Sequence, residues 1–312
     1  MNIKRGAGLK TGIKLKKHII RFKYLYIMIF PVLLYYAVFM YAPMYGLQIA
    51  FKEYRPSMGI TTSPFIGIKH FRDFFSSYYF VRLIRNTLLI SFYDILFGFP
   101  APIILALILN QLRGTIFKRT VQTITYLPHF VSTVIICGMI VDFMSRNGWV
   151  NALISGITGG EPILFLQKPE WFRSLFVGSG IWQELGWGSI IYLSALSAIN
   201  EEFYEAARID GASRWQQLRY ITLPCLMSTI VIMLILRVGR VMNVSTEKVL
   251  LLYTPNTYET SDVISSFVYR KGLLESNYGY ATAIGLFNAV INCIMLVSVN
   301  GISKKVSDNS LW

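Results

Sequence analysis

NEEFYEAARIDGASRWQQLRYITLP, residues 200–224, is a polar tract set between two long apolar blocks. Its charged side chains make it too polar to cross a membrane. Asn200 can cap a first short helix, and Gly211 supplies the left-handed residue that ends one. Ser213 can then cap a second helix that runs toward Pro224. We therefore predict a projecting elbow of two short helices that joins two membrane-spanning segments.

The apolar blocks on either side of this tract belong to a set, and each is close to the roughly 20 residues that cross a hydrocarbon core. The chain of 312 residues is 54% hydrophobic and only 15% charged, whereas soluble domains are about 25% charged. We therefore expect one all-α membrane domain with about six spanning helices. The predicted spans are Tyr24–Tyr41, Asn86–Asn110, Thr123–Met144, Ser174–Ile199, Pro224–Asn243 and Tyr280–Gly301.

The formal net charge of +14 is concentrated beside these blocks. Residues 1–23 are basic without an acid, which favours the cytoplasmic face of a membrane and argues against a nucleic-acid partner. The Gln111–Thr120 loop is also basic. We expect a basic cytoplasmic segment at 1–23, a membrane domain at 24–301 and a cytoplasmic tail at 302–312. The first external loop carries basic residues as well, which weakens this orientation.

One motif in the polar tract resembles a known family. Glu205, Ala206 and Ala207 are followed by Gly211 and then by Ile221-x-Leu223-Pro224. This spacing is similar to the EAA loop of permease subunits in binding-protein-dependent ABC importers. The resemblance implies the type I importer permease fold, with the cytoplasmic loop 200–223 docking on a separate ATPase. It also implies that Glu205, Ala206, Ala207 and Gly211 couple the two subunits.

The resemblance extends to the partners and to the substrate class. It implies a bacterial cell membrane protein with a second homologous permease, an ABC ATPase dimer that binds ATP and Mg, and an extracytoplasmic solute-binding protein. The loop Leu250–Leu274 and the terminal Ser310-Leu311-Trp312 are similar to permeases for maltose-type oligosaccharides or polysaccharide fragments, including those from alginate and pectin. The charge of the saccharide is left open. No G-x-x-x-x-G-K-[ST] phosphate loop occurs, so we expect no nucleotide site in this chain.

Polar side chains inside apolar blocks are candidates for a substrate path, because ionisable groups in a membrane are costly. The candidates are Arg237, Arg240, Glu184, Gln183, Asn243, Trp182 and Trp187, with Asp94, Asp142, Asn288 and Asn292 nearby in the blocks. The arginines can instead snorkel to headgroups, or Asp142 can neutralise one of them. Glu184 can instead pair with the second permease. The tryptophans can instead form an interfacial belt or bundle core. We expect His129 to be a bundle residue that is hydrogen-bonded to backbone.

Other classes of membrane protein fit the sequence less well. A membrane enzyme needs convergent catalytic groups, and a sensor anchor needs a sizeable soluble domain; the sequence shows neither. The three cysteines have no metal-ligand spacing, so we expect no metal site or cofactor in this chain. An ion-coupled carrier could use Glu184 as a proton site. The EAA spacing favours the ATP-driven importer, because a carrier has no ATPase to dock.

Overall fold

The computed structural model describes residues 21–112 and 114–306. The structure leaves undescribed residues 1–20, Arg113 and residues 307–312. Most of the predicted basic segment 1–23 and part of the predicted tail 302–312 therefore lie outside the described residues. Across the described residues the chain is helical, with a single isolated bridge between Lys52 and Phe65 and no named strand. The all-α prediction is therefore confirmed. The chain divides after Gly67 into two units.

The first unit contains one long helix. Helix α1, Lys23–Tyr35, passes through a π-helical turn at Tyr36–Tyr41 and continues as a 3-10 helix over Ala42–Phe51. The predicted first span ended at Tyr41, so the observed segment is longer. No residue of α1 is buried, which is the surface that a lipid-facing helix presents. The short helix α2, Gly59–Thr62, follows.

The second unit holds the remaining helices. They are α3 (Lys69–Phe75), α4 (Tyr79–Tyr93), α5 (Pro100–Gln111), α6 (Thr115–Tyr126), α7 (Thr133–Phe143), α8 (Trp149–Thr158), α9 (Pro169–Ser197), α10 (Glu201–Ile209), α11 (Arg214–Gln217), α12 (Leu223–Val238), α13 (Thr246–Leu252), α14 (Tyr258–Ser261), α15 (Ile264–Tyr269) and α16 (Tyr278–Val306). π-helical turns at Asp94–Gly98 and Leu218–Thr222 join α4 to α5 and α11 to α12. A third π-helical turn, Arg270–Leu274, follows α15.

The number of spans differs from the prediction in two places. Among the described residues, four helical segments are long and apolar enough to cross a membrane, namely Lys23–Phe51, Tyr79–Gln111, Arg214–Val238 and Tyr278–Lys304. The predicted fourth span is α9, which has 29 residues but is not among these four. At about 1.5 Å per residue its length suffices. Its polar residues, among them Glu184 and Gln183, lower its apolar content. These two residues line a pocket.

The predicted third span, Thr123–Met144, is not one continuous helix. Its two parts, Thr115–Phe130 and Thr133–Phe143, meet at an angle of 100° and count as a fifth span only when taken together. The sequence accounts for the bend. Pro128 lies in a 3-10 turn, Val131 is extended, and Ser132 starts α7 by accepting a hydrogen bond from the Ile135 amide. Proline commonly kinks a membrane helix, whereas here the helix is interrupted and changes direction by 100°.

One hydrophobic cluster positions the site. It joins Ile90 of α4, Ile136 of α7, Phe176 of α9 and Val249 of α13, all of which are buried. The short helix α13 thus packs into the membrane domain against α7 and α9. The tract around it, 245–279, lies between the predicted fifth and sixth spans and contains the short helices α13–α15. Its packing brings a charged residue of α13 to the wall of a pocket.

Candidate functional site

A pocket of about 570 Å³ lies between α4, α5, α9, α12 and α13. Its polar wall contains most of the residues selected from the sequence. Those residues are Gln183, Glu184, Arg237, Arg240 and Asn243, and Asp94 and Lys248 lie in the same wall. The structure therefore brings together side chains from distant parts of the sequence. Their role in a substrate path stays a prediction.

The Arg237 side chain is paired. Its Nε donates to Asp94 Oδ2 at 3.0 Å and its Nη2 donates to Asp94 Oδ1 at 2.7 Å. Such two-point pairing is the strongest form of a guanidinium–carboxylate contact. Gly98 makes room for it, because a Cβ there would lie 2.8 Å from Asp94 Oδ1 and 2.9 Å from Arg237 Nη2. The suggestion that Asp142 neutralises one arginine is wrong for Arg237, whose counterion is Asp94.

Glu184 also has a partner within this chain. His129 Nδ1 lies 3.0 Å from Glu184 Oε2. The His129 ring stacks on Trp187, with ring centres 4.5 Å apart and planes 2° apart. His129 was expected to bond to backbone; instead it contacts the Glu184 carboxylate, because the bend after Pro128 brings its ring onto α9. The Glu184 side chain remains 56% exposed and therefore still faces the pocket.

Two cations of the pocket wall differ from Arg237 in their contacts. Among the described residues, neither Arg240 nor Lys248 lies within 4.0 Å of a carboxylate oxygen. Lys248 is only 5% exposed, and its Nζ donates to the Phe176 carbonyl at 2.9 Å. Burial lowers the pKa of Lys248 to about 8, against the opposing effect of Cys137, Asp94 and Glu184. Sequence reasoning missed Lys248, although a lysine followed by Val249-Leu250-Leu251-Leu252 was a usable signal.

The neutral part of the wall is built from amides. Asn243 Oδ1 accepts from Asn288 Nδ2 at 3.0 Å and from Asn292 Nδ2 at 2.9 Å. Asn292 Oδ1 in turn accepts from the Met242 amide. Gln183 donates to the Val131 carbonyl at 3.4 Å, just beyond the bend. These bonds fix the Asn243 amide so that its remaining donors are available to a polar ligand such as a sugar hydroxyl.

The two tryptophans lie outside this wall. Trp182 and Trp187 are 47% and 45% exposed, and neither is among the residues that line the pocket. Both lie on α9, and Trp187, one turn beyond Glu184, contacts His129 as Glu184 does. Trp187 covers His129 instead of offering a free ring to a ligand. A contact between these rings and a sugar therefore stays a prediction that this pocket does not support.

A buried carboxylate at Asp262 ties together segments that adjoin the pocket. Asp262 has no exposed surface and accepts two bonds from Arg270, at 2.9 and 2.7 Å, and one from Arg82, at 3.1 Å. Although burial opposes its charge, the bonds to Asp262 raise the pKa of Arg270 above its ordinary value. Asn86 of α4 donates to the Asp262 carbonyl and accepts from Arg173 of α9. The sequence offered no signal for this network.

The elbow has the local geometry that the sequence predicted. The Asn200 side chain accepts from the Glu202 amide, and Ser213 forms a capping box with Gln216. Gly211 adopts φ +77°, a left-handed conformation that glycine takes without steric penalty. Tyr204 Oη lies 3.0 Å from Thr222 Oγ1, which ties the first helix of the elbow to the turn leading into α12.

The outer surface of the elbow is open. Glu205, Ala206 and Gly211 are exposed, and Ala207 is partly exposed. Two large apolar side chains, Ile209 and Trp215, are 87% and 68% exposed. Small residues beside apolar ones, with a carboxylate between, form a surface on which another protein can pack closely. The coupling role of these four residues stays a prediction.

Comparisons with known proteins agree with this arrangement. Residues 98–308 match the family model described as "Binding-protein-dependent transport system inner membrane component". Protein LplB of Bacillus subtilis (strain 168) is 42% identical over 99% of this chain and 98% of its own length. The polygalacturonan/rhamnogalacturonan transport system permease protein YteP, from the same organism, is 40% identical over 94% of this chain and 92% of its own.

A solved structure supplies the fold. The crystal structure of a bacterial ABC transporter involved in the import of the acidic polysaccharide alginate contains a chain that superposes with a TM-score of 0.88. The two chains are 44% identical, over 94% of this chain and 99% of that chain. The predicted type I importer permease fold is therefore confirmed, as is the resemblance first drawn from the EAA spacing.

Proposed function

Because this chain belongs to the family of inner membrane components of binding-protein-dependent transport systems, we propose that it forms half of the membrane pathway of an importer for acidic oligosaccharides or polysaccharide fragments. It is a membrane-spanning transport subunit. A separate ABC ATPase dimer binds ATP and Mg and hydrolyses the ATP. A second homologous permease completes the pathway, and an extracytoplasmic solute-binding protein delivers the saccharide.

The charge balance of the pocket carries the choice of an acidic substrate. Asp94 is paired with Arg237, and Glu184 lies within hydrogen-bond distance of His129. Arg240 and Lys248 remain as cations without a carboxylate partner among the described residues. The pocket wall thus holds three cations, Arg237, Arg240 and Lys248, against two carboxylates, and this positive balance favours a ligand that brings its own carboxylates. Two of the similar proteins carry names of acidic polysaccharides, polygalacturonan and alginate, which supports the same choice.

The elbow supports coupling to an ATPase. Its surface carries Glu205 beside Ala206 and Ala207, and these residues are exposed or partly exposed. In the proposed orientation both termini and residues 200–223 face the cytoplasm of a bacterial cell, and the tract 245–279 faces outside. Basic residues at 1–23 and in the Gln111–Thr120 loop support this orientation.

Reconstitution tests the proposed function. The chain is co-purified with its partner permease and ATPase, placed in vesicles with the binding protein on one side and ATP on the other, and offered labelled trigalacturonate. We expect uptake that needs both ATP and the binding protein. An ATPase variant that cannot hydrolyse ATP serves as the control.

Other outcomes would contradict the proposal in distinct ways. Uptake of neutral oligosaccharides alone would refute the acidic substrate and leave the importer in place. Uptake driven by a proton or sodium gradient without the ATPase would refute the importer and favour an ion-coupled carrier using Glu184.

A further inference from the structure

Lys248 is a buried cation held at the edge of the pocket. It lies at the third position of α13, where its amide faces the capping side chain of Ser245. Its Nζ donates to the Phe176 carbonyl at 2.9 Å and lies 4.9 Å from the centre of the Phe176 ring. Both contacts hold the ammonium in place, but neither supplies a negative charge.

The ammonium retains donors for a ligand. An ammonium group has three N–H donors, and the hydrogen bonds found for Lys248 Nζ use one, to the Phe176 carbonyl. Helix α9 comes close to it at Gly180, where an added Cβ would lie 3.3 Å from Lys248 Nζ. Both Gly180 and Lys248 line the pocket. The wall therefore presents a fixed positive charge at a place where α9 has no side chain.

An unpaired buried charge is costly to a protein unless another group compensates it. The carboxylates nearest in the pocket are already engaged, Asp94 by Arg237 and Glu184 by His129. A ligand carboxylate would compensate the charge when it enters. A neutral ligand would leave the charge of the ammonium uncompensated. Lys248 therefore discriminates between acidic and neutral ligands.

We propose that Lys248 is a specificity-determining residue, whose ammonium binds a carboxylate of the saccharide in the pocket. This inference rests on the proposed function, and it assigns the recognition of charge to α13 in addition to Arg240 on the preceding segment. Arg237 lines the same pocket, but its charge serves Asp94. Its contribution to recognition of an acidic ligand is therefore smaller than that of Lys248.

The test measures binding to the purified complex of both permeases and the ATPase, without the binding protein. The probes are trigalacturonate and its fully methyl-esterified form, which has the same sugar rings and no charge. Lys248→Met keeps the length of the side chain and removes the ammonium. Lys271→Met is the matched control, because Lys271 pairs with Glu275 outside the pocket.

We expect the wild type to bind the acid more tightly than the ester. Lys248→Met should weaken binding of the acid by roughly tenfold or more, the usual effect of losing a hydrogen bond to a charged group. Lys248→Met should not change binding of the ester, and Lys271→Met should not change binding of either probe. Equal loss for acid and ester, unchanged binding of the acid, or a wild type without preference for the acid would overturn the assignment.

A second pair of variants keeps the test independent of the lysine itself. Gly180→Ala places a methyl group against the ammonium, whereas Gly178→Ala, on the same helix, meets nothing within 4 Å. Gly180→Ala should weaken binding of the acid more than that of the ester, and Gly178→Ala should change neither. Equal effects of the two alanines would contradict the proposal. ATP-driven uptake by the wild type decides the proposed function separately.

Discussion

Arg237 donates to both carboxylate oxygens of Asp94, across 143 positions of the sequence. This pair joins the end of α12 to the π-helical turn between α4 and α5, and so connects two walls of the pocket. The two side chains are 34% and 41% exposed, so the pair is reachable from the pocket. It determines which cations of the wall remain available to a ligand.

Removing either partner of this pair should destabilise the complex, and removing both should not be much worse than removing one. We expect Asp94→Asn and Arg237→Gln to be non-additive, with a coupling energy of about 0.5–3 kcal/mol. Unfolding of the purified complex in detergent measures it. Lys271→Gln with Glu275→Gln, a pair four residues apart joined by one hydrogen bond, is the control and should couple by less than about 1 kcal/mol. Additive effects at Asp94 and Arg237 would show that the contact contributes nothing.

Reversing the charge at Glu205 should separate the permease from its ATPase. The side chain is exposed on the elbow and is proposed to make a charge-assisted contact with the partner, whose loss costs about 2–5 kcal/mol. Co-purification of the ATPase with Glu205→Lys measures this. Glu161→Lys makes the same change of charge at an exposed site away from the elbow. Equal recovery of the ATPase with both variants would leave the elbow as an ordinary loop.

Gly211 should accept only side chains that tolerate its conformation. At φ +77° a β-branched residue is strained by about 1–3 kcal/mol, whereas asparagine adopts this region more readily. Gly211→Val should therefore reduce coupled ATP hydrolysis, and Gly211→Asn should largely preserve it. An added Cβ meets no other group within 4 Å, so the backbone conformation and not crowding at that atom decides the outcome. Full activity of the valine variant would show that the bend is not needed.

The proposed orientation predicts the accessibility of single cysteines. In a chain whose Cys137, Cys225 and Cys293 are replaced by serine, a membrane-impermeant maleimide added to intact cells should label position 256 but not position 205. Both native residues are exposed in the structure. Labelling of position 205 should appear after the cells are opened. Labelling of position 205 in intact cells would reverse the topology and remove the basis for coupling.

Binding of an acidic ligand should weaken as the pH rises through about 8. Burial lowers the pKa of Lys248 to about 8, and only the protonated amine attracts a carboxylate. A bound carboxylate raises that pKa, so affinity is constant below pH 8 and falls above it. Lys248→Arg stays protonated and should remove this dependence between pH 7 and 9. The groups that act electrostatically on the amine are Cys137, Asp94 and Glu184, and Arg237 and Arg240 lie in the same pocket wall.

A flat response of the wild type between pH 7 and 9 would contradict this prediction. The methyl ester of the same trisaccharide is the control, because its binding does not need the ammonium. Its affinity should be the same at both ends of the range.

Local sequence signals predicted the local structure well. Asn200, Gly211 and Ser213 act within a few residues of themselves, so caps and a left-handed stop could be read directly. The membrane class followed from the length of the apolar blocks. The break at Val131 was less predictable, because proline in a membrane helix produces a kink or a break depending on what packs against it.

Pairing across the chain could not be read in this way. The sequence placed Arg237 in a membrane helix but gave no indication that Asp94 would be its partner. Lys248 lies between the predicted fifth and sixth spans, and only the packing of α13 against α7 and α9 brings it to the pocket. The candidate residues on α9 and α12 were found because charge is rare in apolar helices. Lys248 was missed because charge is common in loops.

The network around Asp262 bears on the entropy of binding. One carboxylate without exposed surface holds Arg82 and Arg270, while Asn86 connects it to Arg173. The segments that carry these residues, α4 and α9 among them, also supply walls of the pocket. Their relative placement is thus already fixed in the empty protein. We therefore expect that a saccharide meets preorganised walls and that ordering them does not diminish its affinity.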